Sequence, residues 1–307
     1  MYHKSVLLKE VIENMQIKEN GIYVDATLGY AGHSSEILSK LKNGHLYGFD
    51  QDDFAILKSD EKLKTISPNY TIIRSNFSNL KERLNDYHID KIDGILFDLG
   101  VSSVQIDEKD RGFSFHKDAR LDMRMDTKSP LSAYEVVNNY SYQDLVRILR
   151  NYGEEKYATS IARNIEKERT NHPIETTFQL VEIVKKSMPY KAMRDSHPAR
   201  KTFQAIRIEV NHELEVLKMG LEQALDLLAP GGRCCVISFH SLEDKMVKNI
   251  FKEHSSVPDK MKNLPYLPEE YQPKYKIITS GITASKAELE ENYRSHSARL
   301  RVIERIK

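Results

Sequence analysis

The chain has 307 residues, 40% of them hydrophobic and 30% charged, with a formal net charge of +1. That much apolar material excludes a disordered chain, the length suits roughly two domains or one α/β domain with an insertion, and no apolar run approaches the roughly 18–20 residues that span a bilayer. The balanced charge hides a division: residues 108–208 hold 19 Lys+Arg against 14 Asp+Glu, and the remainder holds 27 against 31, so the basic middle is the part suited to a polyanion.

The segment from Met1 to Glu10 meets charge too early for a signal peptide, which leads to the expectation of a cytoplasmic protein with no membrane partner. The first hundred residues then alternate. Strands are predicted at Ile22–Asp25, His45–Asp50, Tyr70–Arg74 and Gly94–Asp98, with helices at His33–Leu41, Asp52–Leu63 and Ser78–Leu84 between them. This alternation predicts βαβ units and a parallel sheet. Three of the four strands end in aspartate, Asp25, Asp50 and Asp98, at the edge where open parallel sheets bind ligands. Residues 100–130 are loop-like, and about 131–228 is all helical, with helix starts at Ser141 and at Thr176, the latter a capping box with Gln179. One long helix is expected over Phe203–Leu228, stopped by Ala229-Pro230-Gly231-Gly232. Strand character returns at Arg233–Phe239, Tyr275–Thr279 and Ala298–Ile303, with a helix at Leu242–Phe251. The expectation is a core of residues 1–107 and 209–307, interrupted by a helical insertion over 108–208.

The two cysteines, Cys234 and Cys235, are adjacent in an apolar run and read as small core residues of a strand. Two are too few for a structural zinc centre, and no metal site is expected. His240-Ser241 lacks the G-x-S-x-G setting of a hydrolase, and Ser241-x-x-Asp244 reads instead as a helix cap with acids in the first turn.

Asp25-Ala26-Thr27-Leu28-Gly29-Tyr30-Ala31-Gly32-His33-Ser34 follows a strand and opens a helix. Its glycines permit a tight turn and close ligand approach, and the helix start offers N–H groups. It is neither a P-loop nor G-x-G-x-x-G, so no pyrophosphate is demanded. Asp50, at the end of the next strand, stands where an acid accepts ribose hydroxyls, while Asp52 and Asp53 suit the following helix start. Phe77 suits either an adenine-stacking ring or a core position. Loop, acid and ring together suggest an adenosyl ligand without phosphates, such as S-adenosylmethionine. Beyond Asp98, the string Asp107 to Phe115 and then Arg120 to Asp126 interleave arginines with phenylalanines. They fit a phosphate-holding, base-stacking surface or a loop with internal salt bridges.

Gly29-x-x-Gly32-His33-Ser34, Asp98-Leu99-Gly100-Val101-Ser102-Ser103, Arg111-Gly112-Phe113-Ser114-Phe115, Leu121-Asp122-Met123-Arg124-Met125, Ser238-Phe239-His240-Ser241-Leu242-Glu243-Asp244 and Ser297-Ala298-x-Leu300-Arg301 occur in this order. On these strings the chain resembles the bacterial 16S ribosomal RNA cytosine-N4-methyltransferases over essentially its full length. The resemblance implies a class I S-adenosylmethionine-dependent methyltransferase fold with an inserted helical domain. It also implies methylation of a cytidine amine in the decoding region of 16S rRNA, within the 30S subunit. It places the cofactor at Ala31, Gly32, His33, Asp50, Phe77, Asp98 and Gln105. Asp98 either only holds the cofactor or also faces the amine; the expectation is that Asp98 and nearby backbone carbonyls take the amine hydrogens, which makes it the candidate catalytic residue. Arg111, Arg120, Arg124, Arg200 and Lys201 are the candidate RNA contacts, the last two within His197-Pro198-Ala199-Arg200-Lys201-Thr202-Phe203-Gln204. One departure stands out: the family loop reads Gly-Gly-His, and here the first position is Ala31. The expectation is a backbone there that fits alanine, since a positive φ would strain it by about 1 kcal/mol. The competing readings are a methyltransferase for another nucleic acid or a protein, and a non-catalytic ribosome-assembly factor.

Overall fold

The computed structural model describes residues 5–101, 109–194, 197–257 and 268–307; Gln105 lies outside them. The chain forms two compact units, one of Met1–Gly100 with Glu215–Lys307 and one of Val101–Leu214. The second is wider at both ends than the 108–208 segment marked by charge.

The first unit opens with α1 (Leu8–Met15), β1 (Ile22–Asp25), α2 (Gly32–Ser39), β2 (His45–Asp50), α3 (Asp53–Leu63), β3 (Tyr70–Arg74), α4 (Leu80–Asn85) and β4 (Ile92–Asp98). The second unit carries α5 (Ala133–Asn139), α6 (Tyr142–Asn151), α7 (Ala158–Arg169), α8 (Thr177–Lys186) and α9 (Arg200–Asn211). Then α10 (Glu213–Leu227), β5 (Leu228–Ser238), α11 (Ser241–Ser255), β6 (Tyr275–Ile282), α12 (Lys286–Glu291) and β7 (Arg299–Arg305) complete the chain.

The sheet order is β3-β2-β1-β4-β5-β7-β6. The pairs β1/β2, β2/β3, β1/β4 and β4/β5 are parallel, and β7 runs antiparallel to both β5 and β6. This is the mainly parallel class I methyltransferase sheet that the sequence led us to expect. The order reverses between β1 and β4, which puts the ligand crevice beyond Asp25 and Asp98.

The central strands alternate with period 2 between two cores. Ile95, Phe97, Cys234 and Val236 face one layer, with Leu80, Leu84, Leu217, Leu221, Val247 and Phe251. Leu96, Cys235 and Ile237 face the other, with Val11, Met15, Ile37, Leu38 and Leu63. The same alternation sends the two cysteines to opposite faces, where both are free and buried. Burial pushes both thiols up, Cys235 to about 12, so neither offers a thiolate.

Three expectations need correction. The long helix over Phe203–Leu228 is two helices, because His212 adopts a left-handed conformation at φ 50° and closes α9 before α10 begins. The stop at Ala229–Gly232 is absorbed into β5, which already pairs with Ile92 at Leu228 and shifts register before Arg233 meets Gly94. The cap of α11 is His240, whose ring nitrogen accepts from the Glu243 N–H, and not Ser241. The caps at Ser141 and Thr176 lie where the sequence placed them, the second a full capping box. A further capping box, Ser132 with Glu135, starts α5.

Candidate functional site

The loop between β1 and α2 is built around Asp25, only 2% exposed. Its carboxylate accepts from the Ser34 hydroxyl at 2.7 Å, the Thr27 N–H at 3.1 Å and the Thr27 hydroxyl at 3.4 Å. The Thr27 hydroxyl oxygen also accepts from the Asp98 N–H at 2.7 Å, tying the loop to the end of β4. Burial raises the Asp25 carboxyl, and the Ser34 and Thr27 donors pull it back. Asp25 is thus the peg of the loop, a role its residue type alone did not reveal; its position at a strand end was the available signal.

Gly29 and Ala31 both take left-handed backbone, at φ 50° and 53°. The expectation that residue 31 fits alanine without strain is therefore wrong: the loop needs the glycine-favouring conformation there, and Ala31 supplies it at a steric cost. The turn aims the start of α2 at the crevice, where the N–H groups of Gly32 and His33 have no intrahelical acceptor.

Asp50 closes the loop from the side. Its Oδ2 accepts from the Gly29 N–H and its Oδ1 from the Asp52 N–H, both at 2.9 Å. Burial pushes its carboxyl up to about 6 against these two donors. Each oxygen keeps a second lone pair, so the acid can take a ribose hydroxyl while holding the loop. Asp52 caps α3 by accepting from the Phe54 N–H at 3.1 Å.

Phe77 stands half-buried after β3, edge-on to Phe97 with ring centroids 5.3 Å apart. One side of its ring lies on Gly220, where an added Cβ would fall 2.6 Å from Cδ2. The Gln223 side chain fixes the backbone around it, donating to the Ser78 carbonyl at 2.6 Å and accepting from the Lys81 N–H at 2.9 Å. These contacts give the ring the core role among its two sequence readings, and its partial exposure leaves room for the other.

Asp98 ends β4 with its side chain 28% exposed, yet its Oδ1 is buried and has no hydrogen-bond partner among the described residues. Oδ2 lies 3.5 Å from His33 Nδ1. Burial pushes the Asp98 carboxyl up to about 6; His33 lowers it, while Asp25 and Glu243 raise it further. His33 itself is 4% exposed, and its Nε2 lies 3.0 Å from the Val6 carbonyl oxygen. Its ring therefore faces inward, leaving its backbone for the crevice.

Glu243, 2% exposed, accepts from the Phe239 N–H at 2.9 Å and the His240 N–H at 3.3 Å. Asp244 instead takes a two-pronged bond from Arg301, at 2.7 and 2.9 Å, and Arg301 also donates to the Ser280 carbonyl. Burial works against the Asp244 charge, but Arg301 holds the carboxyl below its usual range. The terminal Ser297–Arg301 string thus ties β7 to α11.

In the second unit the basic residues divide. Arg124 spends its guanidinium on Asp122 and on the Thr127 and Ser129 carbonyls. Arg111 donates to the Arg124 and Met125 carbonyls and lies 5.9 Å over the Phe113 ring. For these two, internal loop bonds are what the structure shows. Lys201 donates to the Glu154 carbonyl at 3.0 Å. Arg120 and Arg200 have exposed side chains.

A family model described as the MraW methylase family matches residues 1–306. Ribosomal RNA small subunit methyltransferase H of Exiguobacterium sibiricum is 57% identical over 99% of this chain and 98% of its own. Among solved structures, an rRNA methylase from Streptococcus thermophilus aligns over 100% of both chains at 12% identity with a TM-score of 0.44.

Proposed function

The chain belongs to the MraW methylase family, and from that premise we propose that it uses S-adenosylmethionine to methylate the N4 amine of a cytidine in the decoding region of 16S rRNA, in the cytoplasm and on the 30S subunit. Ribosomal RNA of the small subunit is the acceptor in the name of the relative that is 57% identical. The observation that carries the reading is the Asp98 carboxyl at the switch point of the sheet, whose buried Oδ1 has no hydrogen-bond donor among the described residues.

The residues fit the cofactor by the chemistry of their donors and acceptors. Asp50 offers spare lone pairs for ribose hydroxyls, the partly exposed Phe77 offers an aromatic ring for adenine, and the start of α2 offers N–H groups. S-adenosylmethionine, when bound, supplies an electrophilic methyl group. Against it the protein must hold an amine whose lone pair is delocalised into the cytosine ring. Asp98 accepts a hydrogen of that amine, which orients the nitrogen and raises its electron density as the transfer proceeds. The target base has to leave its stack for the amine to reach Asp98. Arg120, Arg200 and Lys201 are the candidate contacts to the RNA backbone.

The test supplies methyl-labelled S-adenosylmethionine to small subunits lacking the modification and, in parallel, to naked 16S RNA, then identifies the labelled nucleoside after digestion. We expect an N4-methylcytidine product, with the assembled subunit preferred. No label in either RNA, with cofactor binding intact, overturns the reading in favour of another acceptor or an assembly role.

A further inference from the structure

We propose that the stretch between α8 and α9 is a stacking surface for an unpaired base of RNA: the Tyr190 ring takes the base, and Arg194, with Lys186 and Lys191, takes the phosphates beside it. The proposal deepens the function above and rests on it for the identity of the RNA, but the surface is tested with short strands and needs no methyl transfer.

Charge points to this stretch first. Residues 185–201 hold six Lys+Arg against one Asp, while the rest of 108–208 holds 13 of each sign, so the basic excess of that segment falls entirely here. Lys185 is spent on Glu182 at 2.8 Å and Lys201 on the Glu154 carbonyl. The other four, Lys186, Lys191, Arg194 and Arg200, have exposed side chains. Their backbone is held. Ser187 donates to the Ile183 carbonyl at 2.6 Å and accepts from the Asn164 amide at 2.8 Å, and Met188 packs on the core of the helical unit. After Pro189 comes the 3-10 turn Tyr190–Met193, where the Ala192 N–H donates to the Pro189 carbonyl at 2.9 Å. The chain returns to the core at the fully buried Ala199. Burial, His116 and Lys185 together hold the His197 imidazole below its usual range, so Lys185 and His197, near the two ends of the stretch, lie within reach of each other's charge.

The aromatic residue then selects the partner. Tyr190 is 76% exposed even with the Arg194 guanidinium over its ring, 5.9 Å from the centroid. A ring in solvent beside a cation supplies both things a nucleotide needs. The π-face accepts any base by stacking, and the cation pairs with phosphate. The bases of an A-form duplex are stacked on one another and closed to such a ring, so the base taken is an unpaired one. The same base-out geometry is what the methyl acceptor needs, and a neighbouring base held open on Tyr190 would lower the cost of reaching it.

The chain has no tryptophan, so Tyr190→Trp places a single indole at the surface as its own reporter. The probes are an unpaired RNA strand of about ten nucleotides and the same strand in a duplex, each titrated against the whole chain. We expect the unpaired strand to quench the indole and the duplex to leave it nearly unchanged. Tyr190→Ala should weaken binding of the unpaired strand by about fivefold or more, with the slope of log affinity against log salt unchanged because no charge is lost. Lys191→Ala combined with Arg194→Ala should instead reduce that slope, by about 0.7 per residue. The Tm of each variant should stay within about 2 °C of wild type. Equal quenching by the duplex, or no quenching by either probe, overturns the proposal, the latter in favour of a protein partner. Unchanged affinity in Tyr190→Ala also overturns it, and a lower Tm alongside would make the Tyr190–Arg194 pair a staple of its turn. Absence of methylcytidine with wild type would instead strike the functional reading and leave these titrations standing.

Discussion

Ala31 sits in left-handed backbone at φ 53°, where a Cβ costs about 1–2 kcal/mol. Replacing it with glycine removes that strain but adds unfolded-state freedom worth about 0.4–1 kcal/mol. The strain is the larger effect, so Ala31→Gly should stabilise the protein by about 0.5–1 kcal/mol. Calorimetry would register this as a rise in Tm of about 2 °C, and a fall would show the strain to be relieved elsewhere. Asp50 and Asp98 carry a different cost. Both titrate near 6 in the folded protein, above the ordinary 3.8. Between those values the folded state holds the more protons, so their contribution to stability is greatest below about pH 4 and is lost as pH rises through 6. At about 1.4 kcal/mol per unit, trimmed for the 28% exposure of the Asp98 side chain, each anion costs about 2 kcal/mol at pH 7. Asp98→Asn should therefore raise the urea midpoint at pH 7, with a smaller gain at pH 5, while methyl transfer falls by at least about 100-fold. Cofactor affinity should fall far less than turnover; equal losses in the two would remove Asp98 from the chemistry.

Phe77 and α10 show how one element positions a residue of another. Gly220 lets the helix lie on the ring, and Gln223 clamps the backbone just after it, at Ser78 and Lys81. Gly220→Ala should push the ring toward the crevice, cost about 1–3 kcal/mol of stability, and weaken binding of the product cofactor. Calorimetric titration checks this, and unchanged affinity would mean that Phe77 serves the core alone. Strand positions were legible because period-2 apolar runs are local: Ile22–Asp25, His45–Asp50 and Tyr70–Arg74 stand where the pattern put them. The break at His212 was not, because the apolar periodicity runs on through it and only the backbone reversal separates α9 from α10. Helix α1 was missed since eight residues carry barely two turns of pattern.

At the scale of the molecule, the first unit carries the crevice residues and the second contains the basic 108–208 segment. Arg120 and Arg200 expose their side chains there, whereas Arg124 is consumed by Asp122 and two carbonyls. Replacing Arg120 and Arg200 together with alanine should leave the Tm within about 1 °C and weaken RNA binding. It should also reduce the slope of log affinity against log salt by about 1–2. Arg124→Ala should lower the Tm instead. An unchanged salt slope in the double variant would move the RNA contact elsewhere.

The sequence by itself determined the order and kind of the elements, the α/β class, the aspartates at three strand ends and the family strings, because each of these is written in neighbouring residues. Tertiary structure decided what those residues do. Whether an aspartate is a peg or an open acceptor depends on which donors distant segments bring to it: Ser34 and Thr27 satisfy Asp25, backbone N–H groups hold Asp50, and Asp98 Oδ1 is left without a partner among the described residues. Whether an arginine is a staple or a contact depends on whether its loop folds back far enough to offer carbonyls, as it does for Arg111 and Arg124. The inward turn of the His33 ring depends on the Val6 carbonyl, 3.0 Å from its Nε2, which a segment 27 residues earlier in the chain brings to it. Hydrogen-bond satisfaction is a property of the assembled neighbourhood, and no residue type declares it in advance.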